Sequence, residues 1–133
     1  MKAYSTDFSL PALPTGLPAV QAALARAAGE IGLSEAVAAR LALIIEELYV
    51  NTITHGQCAD GSSAVDILLR RDADGVHLRY SDAAAAFDLA ASPSPTADDE
   101  PAIGGLGITL IHGLCRHVSA RHVDGRNIYE LVL

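Results

Sequence analysis

The segment EELYVNTITHG, residues 46–56, carries polar side chains at steps of four within an otherwise apolar helical pattern. Glu47, Asn51 and His55 form this row, because residues four apart lie about 6 Å apart along one helix face. Glu46 is rotated by about 100° from the row and is predicted to face solvent. A carboxylate beside a neutral amide oxygen can accept a proton or offer oxygen ligands to a hard cation. A solvated helix flank is the alternative interpretation.

The sequence on the amino-terminal side predicts a strand and a helix before this one. The strand is YSTDFSL, and the alanine-rich helix is AVQAALARAAGEIGL, with Gly32 at its C-terminal end. The helix that carries the polar row is predicted to begin after Ser34, a favourable N-cap residue, and to stop at Gly56.

Two strands, AVDILLRR and VHLRYSD, are predicted next, because Asp74-Gly75 is a strong hairpin signal. Alternate residues from Val76 to Asp82 share one face of the second strand. Asp82 is therefore directed towards the core, where an ionised carboxylate needs hydrogen-bond partners or a place at a pocket mouth. Such an acceptor can bind an exocyclic amine, as on adenine. A turn-forming aspartate is the alternative.

The last third of the chain combines an irregular loop with a glycine-rich helix start. GGLGI, Gly104 to Ile108, precedes the helical pattern TLIHGL. Glycines let the backbone approach phosphates, and a helix N-terminus supplies free N–H groups. The segment lacks the GK[ST] ending of a Walker A motif and the preceding strand of a Rossmann fingerprint. A flexible hinge before a helix is the alternative. Two final strands, HVSARHV and NIYELVL, are joined by Asp124-Gly125.

Composition predicts one domain across residues 1–133. Half of the residues are hydrophobic, 19% are charged, and the net charge is −7, which argues against nucleic acid or an anionic membrane as partner.

The order of elements predicts an α+β, two-layer α/β sandwich: a mostly antiparallel, mixed sheet with helices on one face. No signal-peptide pattern or membrane span is found, so a cytoplasmic protein is expected. Cys58 and Cys115 are interpreted as small core residues in a reducing compartment.

An oxygen-ligand helix, a strand-end aspartate and a glycine-rich helix start together indicate a purine nucleotide–Mg²⁺ site. The sequence resembles the Bergerat ATP-binding fold shared by gyrase, the ninety-kilodalton heat-shock chaperone, histidine kinases and MutL. Within this histidine kinase-like ATPase superfamily it is similar to small anti-sigma factors that are serine/threonine protein kinases. EELYVNTITHG resembles their N box, YSDAAAAFDL their first glycine box, IGGLGITLI their second, and VSARHVDGRNIYELVL their last two strands.

The resemblance implies ATP and Mg²⁺ as cofactors and a role for each matching residue. Glu47 takes the place of the general base, Asn51 that of the Mg²⁺ ligand, and Asp82 that of the residue contacting the adenine amine. The segment from Asp88 to Ile103 corresponds to an ATP lid. The other implied nucleotide-binding residues are His55, Ala84, Phe87, Gly104, Gly105, Leu106, Gly107, Ile108, Thr109 and Asn127.

The sequence departs from the family pattern at two places. Relatives have glycines after the aspartate, where this chain has four alanines at 83–86. A positive φ at Ala84, or adenine packed against it, would make its methyl group an obstruction and weaken binding. Asn127 stands where many relatives have a threonine near adenine, and is expected to replace it only weakly.

Two functions follow from the resemblance. One is a kinase that phosphorylates a serine or threonine on an anti-anti-sigma protein of the STAS fold, with Glu47, Asn51 and Asp82 in its favour. The other is a non-catalytic module that sequesters a sigma factor or regulator, with weak or no nucleotide binding, which the four alanines favour. A detached histidine-kinase domain is less favoured, because no phosphoacceptor helix pair precedes the ATP-binding segments. Relatives pair, so a homodimer is expected.

Overall fold

The computed structural model of the chain describes residues 4–55, 61–91 and 103–133, with residues 103–106 as backbone only. In chain order the elements are β1 (Tyr4–Pro11), α1 (Leu17–Glu30), α2 (Glu35–His55), β2 (Ala64–Asp72), β3 (Gly75–Asp82), α3 (Ile103–Leu114), β4 (His117–Val123) and β5 (Arg126–Val132). The predicted element order and the α+β class are confirmed.

The five strands form one sheet in the order β1-β2-β3-β5-β4. Every pairing between these described strands is antiparallel. The sheet was predicted to be mostly antiparallel and mixed, but its described strands include no parallel pair. The last two strands change places in space, and β5 therefore lies beside β3. This register sets Asp82 of β3 directly opposite Asn127 of β5.

The core lies between the sheet and the helices. Along β3 every second residue is buried, from Val76 to Asp82, as the alternation predicts. Leu78 and Tyr80 of this face join one apolar cluster with residues of α1, α2 and α3, including Val20, Leu41 and Ile111. The sandwich with helices on one face is confirmed.

Both predicted hairpins form, and their turns differ in detail. Asp124 and Gly125 have φ angles of 53° and 78°, the pattern of a type I′ turn, which matches the twist of the strands. In the β2–β3 hairpin Asp72 pairs with Gly75, so Ala73 and Asp74 are the turn residues and Gly75 begins the second strand.

Helix α2 begins as its sequence predicts. The Ser34 hydroxyl accepts a hydrogen bond from the backbone N–H of Val37 at 3.3 Å, which satisfies one of the free donors of the first turn. Gly32 has a φ of 68° and ends α1 in the left-handed conformation typical of a helix C-terminus. The predicted stop at Gly56 falls outside the described residues. None of the described helices has the length and apolar character needed to cross a membrane.

Candidate functional site

The polar side chains of α2, Glu47, Asn51 and His55, lie in two different places. Asn51 is half-buried and lines a cavity at the C-terminal end of the helix, and the exposed His55 lines it as well. Glu47, one turn before Asn51, contacts α3 instead. In the ranges that the structure describes, no three His, Cys, Asp or Glu side chains are grouped so that they could hold a metal ion.

The cavity lies between α2, the segment that follows β3, and β5. Its volume is 20 Å³, which admits about one water molecule. Its apolar lining consists of Leu48, Ala84, Ala85, Phe87, Leu89 and Tyr129. Its polar lining consists of Asn51, Thr52, His55, Asp82 and Asn127. Apolar walls with a few fixed polar groups are typical of small-molecule sites.

Asp82 is buried on the inner face of the sheet, as predicted, with 3% of its surface exposed. Its Oδ2 accepts a hydrogen bond from the Thr52 hydroxyl at 2.7 Å. Its Oδ1 accepts one from the Asn127 side-chain amide at 2.9 Å and one from the Ala84 backbone N–H at 3.2 Å. These donors supply the partners that a buried carboxylate requires.

Thr52 is a site residue that sequence reasoning missed. It is 5% exposed, and its hydroxyl lies 2.6 Å from the Tyr80 hydroxyl and 3.0 Å from the Leu48 carbonyl. Burial, reinforced by the charge of Asp82, raises the pKa of Tyr80 well above its usual range, so Tyr80 keeps its proton. A threonine inside an apolar helix was the available signal, but its partners lie on a distant strand.

Asn127 is fully buried and holds the segment after β3 in place. Its side-chain oxygen accepts a hydrogen bond from the Phe87 backbone N–H at 3.0 Å. Its amide nitrogen donates to the carbonyl of Ala85 at 2.9 Å and lies 3.2 Å from that of Ala84, besides contacting Asp82. Asn127 therefore fixes the cavity wall, a wider role than the weak replacement for a threonine expected from the sequence.

The four alanines after Asp82 adopt an unstrained backbone. Among the described non-glycine residues, Asp124 is the one with positive φ, so the positive φ considered for Ala84 does not occur. Ala84 is 8% exposed, whereas Phe87 is 39% exposed at the cavity. The missing glycines therefore impose no backbone strain, and the methyl groups narrow the cavity instead.

Glu47 lies against the glycine-rich start of α3. A methyl group built on Gly107 would come within 2.2 Å of the Glu47 carboxylate oxygen Oε2, so the carboxylate occupies the space that the glycine leaves open. Glu46 has a different neighbour: its carboxylate accepts a hydrogen bond from the Gln21 side chain of α1 at 3.0 Å. Glu46 thus contacts α1 rather than facing only solvent.

Helix α3 begins at Ile103, so Gly104 and Gly105 lie inside its first turn and not in a loop before it. The sequence predicted a later start because three glycines in four residues disfavour a helix. Of the following positions, Ile108 packs against the core and Thr109 is exposed. The side chain of Leu106 lies outside the description.

The predicted lid, Asp88 to Ile103, is described at its two ends alone, since residues 92–102 lie outside the described ranges. At its first end the Leu89 side chain is fully buried in the core. The ring of His112 on α3 lies with Nε2 2.8 Å from the Leu89 carbonyl oxygen, which requires a proton on Nε2. This hydrogen bond joins helix α3 to the first residues of the predicted lid.

Comparisons with known proteins agree with this fold. A solved structure of the RsbU and RsbW domains of Rv1364c from Mycobacterium tuberculosis is similar over 96% of this chain, with a TM-score of 0.62 and 19% sequence identity. The match spans 31% of that chain, and at this identity it bears on the fold alone. No curated protein matches significantly. The family model described as histidine kinase-like ATPase domain matches residues 10–133. The chain therefore belongs to the histidine kinase-like ATPase domain family.

Proposed function

We propose that this domain binds ATP with Mg²⁺ and transfers the terminal phosphoryl group to a serine or threonine of a protein partner. The observation that carries the proposal is the placement of side chains by α2. Glu47 lies against Gly107 of the glycine-rich start of α3, and Asn51, one turn later, lines the same cavity as Asp82. Helix α2 thus carries a carboxylate beside α3 and, one turn later, an amide oxygen beside the cavity that contains the buried acceptor.

The residues around the cavity fit the two cofactors that the family implies. A buried carboxylate between apolar side chains suits the amine of adenine, with Asp82 as the acceptor. Mg²⁺ is usually held by few protein ligands together with phosphate oxygens, so the side-chain oxygen of Asn51 is a sufficient contribution from α2. ATP supplies the transferable phosphoryl group, and Mg²⁺ neutralises charge on it.

Glu47 is the proposed general base, which accepts the proton of the attacking hydroxyl. A general base usually contributes about 10²- to 10⁴-fold to a rate. Its neighbour Glu46 has the same charge and lies on the same helix, but its carboxylate accepts a hydrogen bond from Gln21 of α1. The two glutamates therefore form a matched pair for mutagenesis.

The proposed protein substrate is an anti-anti-sigma protein of the STAS fold, and a sigma factor is the proposed target of sequestration. Both assignments come from the resemblance of the three sequence boxes to anti-sigma kinases. A homodimer belongs to the same proposal, and size-exclusion chromatography with light scattering tests it by measuring the mass of the purified chain.

Glu47→Gln should lower phosphotransfer from ATP to purified STAS-domain proteins by about a hundredfold or more. The affinity for Mg-ATP, measured by calorimetry, should stay within about threefold, because Gln preserves shape and hydrogen bonding. Glu46→Gln should leave both quantities near those of the parent. Equal transfer rates for Glu47→Gln and the parent would exclude Glu47 as the base.

A non-catalytic regulatory module is the second candidate function. The observation in its favour is the cavity volume of 20 Å³ behind the alanine segment, which is room for about one water molecule. Titration of the parent with Mg-ATP separates the candidates. Measurable binding with phosphotransfer supports the kinase, whereas no heat at millimolar nucleotide supports the module and overturns the kinase.

A further inference from the structure

Thr52 connects the centre of α2 to two side chains of β3. Its hydroxyl lies 2.6 Å from the Tyr80 hydroxyl and 2.7 Å from Oδ2 of Asp82, and all three residues are at most 5% exposed. Neither helix propensity nor core packing requires a hydroxyl here, because Thr is a poorer helix former than Ala. The hydroxyl therefore acts through its hydrogen bonds.

The single hydrogen of Thr52 fixes the direction of these bonds. If it pointed to the Leu48 carbonyl, two bare oxygens, on Thr52 and an ionised Asp82, would face each other at 2.7 Å. The favourable arrangement has Thr52 donating to Asp82 and Tyr80 donating to Thr52. The Leu48 carbonyl keeps its ordinary helical hydrogen bond. Asp82 thus accepts every hydrogen bond that it makes.

Counting the partners in the part of the chain that the structure describes, Asp82 keeps one acceptor position open. An ionised carboxylate offers about four lone-pair sites. Asn127 and the Ala84 N–H occupy Oδ1, and Thr52 occupies one side of Oδ2. The remaining site is on Oδ2, and Asp82 is one of the residues that line the cavity. A ligand there must donate a hydrogen bond, and a ligand with an oxygen at the same position would be repelled.

We propose that Thr52 is a positioning residue that orients the Asp82 carboxylate for the amino group of adenine; the proposal rests on ATP binding as the proposed function. The terminal torsion of an aspartate is broad, so hydrogen-bond partners, not the rotamer, set the plane of the carboxylate. Asn127 holds one oxygen of that plane and Thr52 holds the other. Specificity for adenine thus depends on a residue within the N-box segment to which the resemblance assigned no role.

Thr52→Val and Thr52→Ser separate the hydroxyl from the shape of the side chain. In Thr52→Val a methyl carbon replaces the hydroxyl, and carbon–oxygen contacts are about 3.3 Å or longer, against the 2.7 Å present. The carboxylate must therefore turn or move. Thr52→Ser keeps the donor and loses a methyl group alone.

Calorimetric titrations use Mg-ATP and the triphosphate of purine riboside, which lacks the 6-amino group. For Thr52→Val, ATP affinity should fall about 10- to 100-fold, the effect of losing one hydrogen bond to a charged group. The affinity for the amine-free analogue should change less than about threefold, and Thr52→Ser should bind both ligands like the parent. The ratio of the two affinities therefore collapses in Thr52→Val alone.

Other outcomes overturn the proposal. Parallel loss of both ligands means that Thr52 only supports the fold, and an unchanged or increased ATP preference means that it does not orient Asp82. If the parent itself does not bind ATP, the proposed function fails and this inference fails with it. Thermal unfolding without nucleotide checks that each variant is folded. Should Thr52→Val not fold, Thr52→Ala, which introduces no crowding, is held to the same affinity ratio.

Discussion

A methyl group added at Gly107 would collide with the carboxylate of Glu47, the proposed general base. In Gly107→Ala the new methyl carbon would lie 2.2 Å from Oε2 of Glu47, so the carboxylate must move away from α3. We expect phosphotransfer to fall by about tenfold or more, because a displacement of about 1 Å at a reacting group is costly. Alanine is also the better helix former, by about 1 kcal/mol. Phosphotransfer should thus fall while the free energy of unfolding stays the same or rises.

Gly113→Ala is the matched control on the same helix. A methyl group there meets no atom within 4 Å, so it should bring the helix-propensity gain without moving Glu47. Denaturant unfolding and phosphotransfer are measured on both variants. Loss of activity in Gly113→Ala as well would mean that helix α3 itself, and not the Glu47 contact, is being disturbed.

The residues of the site differ in how far the sequence could predict them. Asp82 could be placed on the inner face because its position depends on alternation within one strand. The role of Thr52 could not be predicted, since its partners Tyr80 and Asp82 meet it only when β3 packs under α2. The contact of Glu46 with Gln21 depends in the same way on how α1 lies against α2.

At the level of elements, the β4–β5 hairpin positions Asn127. Its two turn residues have positive φ, and Asn127 follows the turn by two residues, opposite Asp82. Gly125→Ala should lower the free energy of unfolding by about 1 kcal/mol or more, because alanine is strained at a φ of 78°. Asp124→Asn should be nearly neutral, since Asn tolerates the left-handed conformation. Equal stability of Gly125→Ala and the parent would show that the turn relaxes to another type.

The N-terminus of α2 offers a second prediction at this scale. Ser34→Ala removes the acceptor of the Val37 N–H and should destabilise the domain by about 1 kcal/mol, whereas Ser34→Asp should keep the cap. The cap is remote from the cavity, so Mg-ATP affinity should be unchanged in both variants. A changed affinity in Ser34→Ala alone would indicate that the start of α2 is coupled to its far end.

Turn and cap signals made these elements predictable, because each depends on a few neighbouring residues. The start of α3 was not predictable in the same way. Gly104 and Gly105 have low helix propensity, yet the helix begins at Ile103. Apolar residues further along, such as Ile111, are buried in the core, and packing of the whole helix outweighs the local preference of its first turn.

For the whole molecule, the fold brings three distant segments to one buried polar group. Thr52, Asp82 and Asn127 come from α2, β3 and β5. They meet because β5 lies between β3 and β4 in the sheet and so pairs directly with β3. The sequence predicts the number and order of elements, but the strand order in space is a property of the complete sheet. The site is therefore most predictable where it follows local periodicity and least predictable where segments cross.

Burial of tyrosines in this core predicts how the stability of the whole domain changes with pH. Burial raises the pKa of both Tyr80 and Tyr129, and the two rings stack with centroids 6.1 Å apart. The unfolded chain loses these protons near pH 10, whereas the folded chain keeps them. Because the native state then binds more protons, the free energy of unfolding must fall as pH rises above about 10.

The expected slope is about 1.4 kcal/mol per pH unit for each retained proton. Denaturant unfolding of the parent between pH 9 and about 11.5 should therefore approach twice that slope from the two tyrosines. Tyr129→Phe removes one of the protons and should reduce the slope by about 1.4 kcal/mol per pH unit, while running parallel to the parent between pH 6 and 8. An undiminished alkaline slope in Tyr129→Phe would mean that Tyr129 ionises in the folded domain as readily as in the unfolded chain, against its burial beneath α2.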